Sequence, residues 1–278
     1  MLSNHKLLVD NECRMCHIYR KSFVKLGMAE TECMIAYQSQ EASSYSEIDQ
    51  ERARNEIALL DLNTGEATYG LASLVKILTQ KSPKLKKVLE HPVIFRPLQV
   101  LYWVISYNRK VIAPAQINPN QRNCNPDFHL GYRWAYILFV TLATAFIVNN
   151  FTAQLFPHFG WPHNLSTELA ICIGQVTWQG IAVHFISSKD RLTYLGNMST
   201  VSMMGALILL PITILMTLVS LSVYLKLALF FSVIGFMFFE HIRRCHLLSI
   251  SSWMTISWVA YRVAALSLLI FLIQHKLV

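Results

Sequence analysis

Long apolar runs dominate the second half of the chain and limit its fold more than any other feature. A helix needs ~20 apolar residues to span a bilayer. Runs of about this length follow Arg133 at residues 134–156, 168–187, 198–221, 223–244 and 253–274. The sequence therefore predicts an all-α transmembrane bundle of about five spans. The third and fourth runs are almost continuous, and we place the reversal between them near 220–226, where Ser, Tyr and Lys interrupt the apolar sequence.

Charged residues are scarce overall but are concentrated in the first half of the chain. Only 14% of the 278 residues are charged, and the mean hydropathy is +0.38. Residues 1–133 hold 17 Lys/Arg and 13 Asp/Glu, whereas residues 134–278 hold 7 and 3. This distribution excludes a simple soluble enzyme, a disordered chain and a disulfide-stapled module. It predicts a soluble domain at 1–112, a linker at 113–132 and an integral membrane domain at 133–278.

The loops between the runs alternate in positive charge, which predicts the orientation. Lys and Arg are retained on the cytoplasmic side of a membrane. Loops rich in these residues precede the first, third and fifth runs, the loop at 157–167 has none, and the turn near 220–226 has only Lys226. We therefore expect an integral protein of the cell (inner) membrane with its N-terminal domain cytoplasmic and its C-terminus outside. The two halves share the +8 net charge equally, so membrane lipid is an expected partner and nucleic acid is not.

The soluble half has the pattern of a small α/β layer fold. A short apolar strand at 6–10 precedes a helix at 16–26, in which apolar residues recur at helical spacing. A second strand is predicted at 33–38 and a hairpin at 57–70, where Asn63-Thr64-Gly65 separates two apolar runs. Helices at 71–79 and 97–109 complete the order. This order is typical of an α/β thioredoxin-like domain.

A Cys-x-x-Cys motif lies at the first strand-to-helix junction. The free N–H groups of a helix start favour a thiolate and lower the pKa of a thiol placed over them. Cys13 occupies this position, Arg14 adds positive charge, and Cys16 lies one turn further on, within reach to close a disulfide. We therefore predict a redox-active dithiol, with Cys13 as nucleophile and Cys16 as resolving thiol.

Three other interpretations of the motif remain open. With His17 it matches the c-type haem attachment pattern, although such haem is attached outside the cytoplasm. Zinc would need two further ligands, for which His5, His17, Cys33 and Cys124 are the candidates. The two thiols could also serve only for packing. A dithiol at a helix start in a reducing compartment favours redox chemistry, so we expect no cofactor beyond the dithiol itself.

The segment Asp10-Asn11-Glu12-Cys13-Arg14-Met15-Cys16 resembles the Asp-x-x-Cys-x-x-Cys signature of the DCC family of thiol-disulfide oxidoreductases. The hairpin at 61–70, Leu101-Tyr102 and Asn108-Arg109 resemble the C-terminal half of that family, so the resemblance covers about residues 5–112. It implies a thioredoxin-like fold, Cys13 and Cys16 as the redox pair, and Asp10 as their neighbour.

The chain departs from the family pattern in two respects. Asn11 stands where the family usually has Gly, and Arg14 where it often has Pro. In addition, no proline occurs before residue 83, so the cis-proline that faces the dithiol in thioredoxin is absent. Thioredoxin's mode of substrate docking is therefore not expected here.

Ionisable residues within the apolar runs are functional candidates by default, and four of them are considered together. His184, Glu240, His241 and Arg262 all fall toward the cytoplasmic side on the predicted topology. They predict a polar cluster in the membrane domain. One hypothesis makes it a quinone or headgroup site that exchanges electrons with the dithiol. The other pairs Arg262 with Glu240 to lock the bundle.

Together these features predict a membrane-anchored thiol-disulfide oxidoreductase of the protein-disulfide reductase type, acting at the cytoplasmic face. Its partner would be an unidentified protein thiol or disulfide. The alternative is a non-catalytic membrane subunit or docking module whose dithiol is dispensable.

Overall fold

The computed structural model describes residues 4–80, 82–115, 122–161, 163–186 and 191–275, without the side chain of Ile186. The chain divides into two compact units, Met1–Trp134 and Ala135–Val278. The loop charge Lys189 falls outside the described residues. Each unit is described separately below.

A four-stranded mixed sheet forms the centre of the first unit. Its strands are β1 (His5–Val9), β2 (Met34–Ala36), β3 (Ala58–Asp61) and β4 (Ala67–Tyr69), in the order β2-β1-β3-β4. β1 runs parallel to β2 and antiparallel to β3, and β3 and β4 form the expected hairpin. The predicted strands and the hairpin turn are confirmed.

Alternation along the strands gives the sheet a hydrophobic core on each face. Leu7 and Leu59 are paired across β1 and β3, and both lie in a core with Phe23 and Ile77 on one face. Leu8 pairs with Ala58, and both lie in the core on the opposite face. Both faces of the sheet are therefore buried, which explains the continuous apolar run in β1.

Short helices surround the sheet, and one long helix closes the unit. They are α1 (Arg14–Lys25), α2 (Gln40–Ser44), α3 (Gln50–Asn55), α4 (Gly70–Leu78), α5 (Pro83–Leu89) and α6 (Pro92–Ile112). The helices predicted at 16–26 and 71–79 are confirmed within two residues. The predicted start of α6 at Pro97 is wrong, because Pro92 occupies the first turn, where a proline is tolerated, and Pro97 lies inside the helix.

Part of the expected linker is packed into the first unit. Its described end, residues 122–129, packs on the first unit through Cys124, which is 2% exposed, and through Asp127, which accepts a hydrogen bond from Asn55 Nδ2 (2.6 Å). The next helix begins at Leu130, before the boundary expected from the apolar pattern.

Among the described residues, five long helices form the second unit. They are α7 (Leu130–Leu155), α8 (Leu165–Ile186), α9 (Arg191–Leu218), α10 (Val223–Leu247) and α11 (Trp253–Gln274). α9 ends and α10 begins within the region where the reversal is predicted, so that turn is confirmed. α9 packs against α8 and α10, and α11 against α8 and α10.

Four segments of the described chain are long and apolar enough to cross a membrane. They are Leu130–Phe159 and the helices α9, α10 and α11. α8 has a sufficient length of 22 residues but is not among them. Its glutamines and His184 lower its mean hydropathy. The structure is thus that of a helical membrane protein, and the count of five spans stays a prediction.

Candidate functional site: a buried dithiol

The dithiol lies where β1 ends and α1 begins. Cys13 is the N-cap of α1 and has extended backbone angles (φ −88°, ψ 114°). Cys16 follows in the first turn, and both thiols are free. The position at a strand-to-helix junction is therefore as expected. Neither sulfur is at the surface, because Cys13 is 0% and Cys16 is 6% exposed.

The two thiols differ strongly in acidity. A hydrogen bond from the Cys16 thiol is the main factor that lowers the pKa of Cys13, to about 6, against the opposing effect of burial. The N–H of Cys16 contributes less, because it makes no regular cap hydrogen bond with the Cys13 side chain. Cys13 is therefore largely a thiolate at neutral pH. This is the asymmetry that a nucleophile and a resolving thiol require.

Cys16 is correspondingly the protonated member of the pair. Its hydrogen bond to Cys13 and its burial raise its pKa, and a hydrogen bond with the Tyr19 side chain opposes this rise. Burial, followed by the nearby Cys16, also raises the pKa of Tyr19. The two groups thus hold their protons and leave the negative charge on Cys13.

Arg109 of α6, and not Arg14, supplies the positive charge near the dithiol. Arg14 is exposed on the first turn of α1. Arg109 is 8% exposed, and its charge helps to lower the pKa of Cys13. Its Nη1 donates to the carbonyl of Asn55 (3.1 Å) and its Nη2 to that of Cys124 (2.7 Å). The expectation for Arg14 is corrected, because a long side chain at an exposed N1 position extends into solvent.

Asp10 lies beside the dithiol, as the resemblance implied. It is 4% exposed, and its Oδ1 accepts hydrogen bonds from the N–H of Glu12 (2.9 Å) and from Gln38 Nε2 (2.8 Å). Its Oδ2 is 3.2 Å from Lys110 Nζ. These contacts fix the turn that leads into Cys13, while the charge of Asp10 opposes the thiolate. Asp10 therefore shapes the site and moderates the acidity of Cys13.

A cavity of about 210 Å³ adjoins Cys16 at the carboxyl end of β1. Its walls include Tyr19 of α1, Tyr37 after β2 and Tyr102 of α6, and Arg109 and Cys124 also line it. Burial raises the pKa of Cys124 to about 12. Cys124 is therefore held as a neutral thiol in the cavity wall, and Cys13 is not part of that wall.

In the membrane unit, two of the four predicted polar residues, Glu240 and His241, are neighbours on α10 and make separate sets of polar contacts. Glu240 accepts two hydrogen bonds from Arg243 (2.6 Å each) and one from Arg244 Nε (2.8 Å). His241 is 1% exposed and contacts the hydroxyls of Tyr194 (3.0 Å) and Thr255 (2.9 Å). The contacts of His241 join helices α9, α10 and α11.

Arg262 and His184 lie elsewhere. The expected pairing of Arg262 with Glu240 is wrong, because both arginines that hold Glu240 come from its own helix, three and four residues away. The guanidinium carbon of Arg262 lies 5.3 Å from the centre of the Trp258 ring. The same ring stacks with that of His241, with 5.5 Å between the ring centres. His184 is exposed and contacts the Phe185 ring.

The sequence pattern missed several residues of the dithiol site. Tyr19, Gln38, Lys110 and the cavity are visible only once the chain is folded. Tyr102 and Arg109 were among the residues that carry the family resemblance, and that was the available signal. Among the described residues, no group of three or more His, Cys, Asp or Glu could hold a metal ion.

Comparison of the chain with family models, with curated proteins and with solved structures found no match.

Proposed function

We propose that this protein is a membrane-anchored thiol-disulfide oxidoreductase of the DCC type, which uses Cys13 and Cys16 at the cytoplasmic face of the cell (inner) membrane. The observation that carries the proposal is the placement of two free thiols, with Cys13 as the N-cap of α1 and Cys16 in its first turn, where Cys16 makes Cys13 the more acidic of the two. A packing role for two thiols requires no such difference, whereas attack on a disulfide does.

The arrangement of the sheet supports a thioredoxin-like fold for the first unit. In that fold a parallel pair joined by a helix is followed by an antiparallel hairpin, and the dithiol starts the first helix. The order β2-β1-β3-β4, with its strand directions, matches this description. The four apolar segments support attachment to a membrane. The loop charges support an external C-terminus.

Exchange with a protein partner requires the Cys13 loop to open, because Cys13 has no exposed surface. The loop is held by Asp10 and by a contact between His17 Nε2 and the Asn11 carbonyl (2.7 Å). Opening would expose a thiolate that is already formed. The partner would be a protein with a reactive thiol or disulfide.

A Cys16→Ser variant of the full chain tests the proposal. After attack by Cys13 the mixed disulfide cannot be resolved, so the partner should accumulate as an adduct that a reducing agent releases. Cys33→Ser is the matched control, since Cys33 is a buried cysteine of the same unit outside the dithiol. Wild-type Cys13 and Cys16 should also interconvert between thiol and disulfide in glutathione buffers.

Two results together would reject this function: no adduct from Cys16→Ser, and no reversible oxidation of the pair. If the double variant Cys13→Ser, Cys16→Ser is fully functional in the cell, the dithiol is dispensable. The protein would then be a non-catalytic membrane subunit.

A further inference from the structure

We infer that the cavity beside Cys16 is a binding site for a neutral one-ring quinone, which oxidises the dithiol. This inference rests on the proposed function and names the electron acceptor of the same site.

The cavity has the size and walls of a site for a single ring. Its volume is about 210 Å³. An engineered cavity of ~150 Å³ in another protein is large enough to bind benzene. Tyr19, Tyr37 and Tyr102 contribute aromatic surface, and Leu8 and Ile57 contribute aliphatic surface. Such walls favour a flat apolar molecule.

One buried donor in the wall lacks a partner. The Nε atom of Arg109 is buried and makes no hydrogen bond, whereas both Nη atoms donate to backbone carbonyls. This Nε has no partner among the described residues, and because an unsatisfied buried donor is costly, it is available to bind a ligand atom. A carbonyl oxygen in the cavity would accept this hydrogen bond.

The charges around the site favour a neutral ligand. The charge of Arg109 lowers the pKa of Cys13, and Asp10 Oδ2 is paired with Lys110 Nζ at 3.2 Å. An anionic ligand would bring a further buried charge without a partner. A quinone meets the three requirements, since it is a flat ring, it is neutral, and its carbonyl oxygens accept hydrogen bonds.

The cavity gives a small molecule access to a dithiol that is closed to larger ones. Cys13 has no exposed surface, but Cys16 lies in the cavity wall. Oxidation from this side needs no opening of the Cys13 loop. The sulfur that contacts the quinone is therefore that of Cys16, and Cys13 completes the disulfide.

The reaction conserves atoms and electrons. As the Cys16 sulfur adds to a ring carbon, the Cys13 thiolate accepts the Cys16 proton, leaving an enolate oxygen near Arg109. Cys13 passes its proton to that oxygen and then attacks the Cys16 sulfur. The S–S bond forms, the C–S bond breaks, and its electron pair returns to the ring. A proton from water completes the hydroquinone, which has gained two electrons and two protons. The disulfide can then oxidise a partner's thiols.

Duroquinone is a suitable probe, because all four ring carbons next to the carbonyls carry methyl groups and the sulfur adduct cannot rearomatise into a dead end. Reduced full-length protein in detergent is mixed with duroquinone. Hydroquinone formation and the loss of the Cys13 and Cys16 thiols are then followed. We expect one quinone reduced per dithiol, with a rate that saturates as the quinone concentration rises.

Ile105→Trp and Ile94→Trp form a matched pair on α6. Ile105 lines the cavity and is 38% exposed, whereas Ile94 is 37% exposed and does not line it. Tryptophan at 105 should narrow the cavity and slow quinone reduction by at least about tenfold, since overfilling a packed site is costly. Tryptophan at 94 should leave the rate unchanged. Both variants should still be oxidised by glutathione disulfide.

Three results would overturn the inference. If glutathione disulfide oxidises the pair but duroquinone does not, the dithiol function stands and the quinone site is wrong. The same conclusion follows if duroquinone oxidises both variants at the wild-type rate. If neither reagent oxidises the pair, the quinone site is wrong, and the additional absence of an adduct from Cys16→Ser would reject the proposed function as well.

Discussion

Cys13 is the N-cap of α1 and Cys16 lies in the first turn of the same helix, and the Cys16 thiol lowers the pKa of Cys13 to about 6. A helix N-terminus alone would favour a thiolate on Cys13, but here Cys16 contributes most to the lowering of its pKa. The motif thus combines nucleophile, resolving thiol and hydrogen-bond donor in four residues.

The first prediction concerns replacement of that donor. Cys16→Ala removes the hydrogen bond and should raise the pKa of Cys13 well above about 6, whereas Cys16→Ser keeps a hydroxyl donor and should leave it low. The ultraviolet absorbance of the thiolate, titrated with pH and referenced to Cys13→Ser, measures the difference. Equal titration of the Ala and Ser variants would show that the hydrogen bond does not control the acidity.

The second prediction is a pH dependence of the reduction potential. Below about pH 6 both reduced cysteines are protonated, so reduction of the disulfide takes up two protons with two electrons. Above about pH 6 only Cys16 is protonated, so reduction takes up one proton with two electrons. The slope should therefore change from about 59 to about 30 mV per pH unit. Because the pKa of Cys13 is lowered from 9.0, the stability that its thiolate adds to the reduced fold is full above pH 9 and is lost as the pH falls toward 6. Glutathione equilibria at several pH values measure the slope, and one slope throughout would contradict the assignment.

The third prediction separates the two arginines. Arg109→Gln should raise the pKa of Cys13 and destabilise the protein by about 1–3 kcal/mol for each buried carbonyl that loses its donor. Arg14→Gln is the matched control and should change neither property, because Arg14 is exposed. Thiolate titration and thermal unfolding test both effects. If Arg14→Gln changes the pKa of Cys13 more than Arg109→Gln does, Arg14 lowers that pKa as the motif predicts.

The fourth prediction uses the ion pair beside the dithiol. The charge of Asp10 opposes the Cys13 thiolate, so Asp10→Asn should lower the pKa of Cys13, with the Gln38 hydrogen bond retained. Lys110→Met removes the compensating charge and should raise it. Opposite shifts in the two variants are the expected result of thiolate titration. Shifts of the same sign would show that the pair acts through loop geometry and not through charge.

Local patterns predicted much of the first unit, and the reasons are physical. Short apolar runs, the Asn63-Thr64-Gly65 turn and the junction at Cys13 depend on neighbouring residues, so the strands, hairpin and dithiol position could be predicted. The Arg109 contacts could not, because they join residues separated by 15 to 55 positions. The supposed pairing of Arg262 with Glu240 failed for a related reason. Depth in the membrane does not fix which face of a helix a side chain occupies, and Arg243 and Arg244 lie closer along the same helix.

The last prediction concerns whether α8 crosses the membrane. Its two glutamines lie inside the bundle, since Gln175 is 2% and Gln179 is 0% exposed, while Ile181 and Phe185 are exposed. An outer face of this kind suits lipid, so we expect five crossings. Single cysteines at Ser220 and His275, in a cysteine-free chain, should then react with a membrane-impermeant reagent from outside the cell. With four crossings, both positions would lie on the inner side of the membrane. Glu47→Cys is the control for the inner side, and His163→Cys should react from outside in either topology. Protection of Ser220→Cys and His275→Cys, together with labelling of His163→Cys, would therefore remove α8 from the spans and reverse the predicted location of the C-terminus.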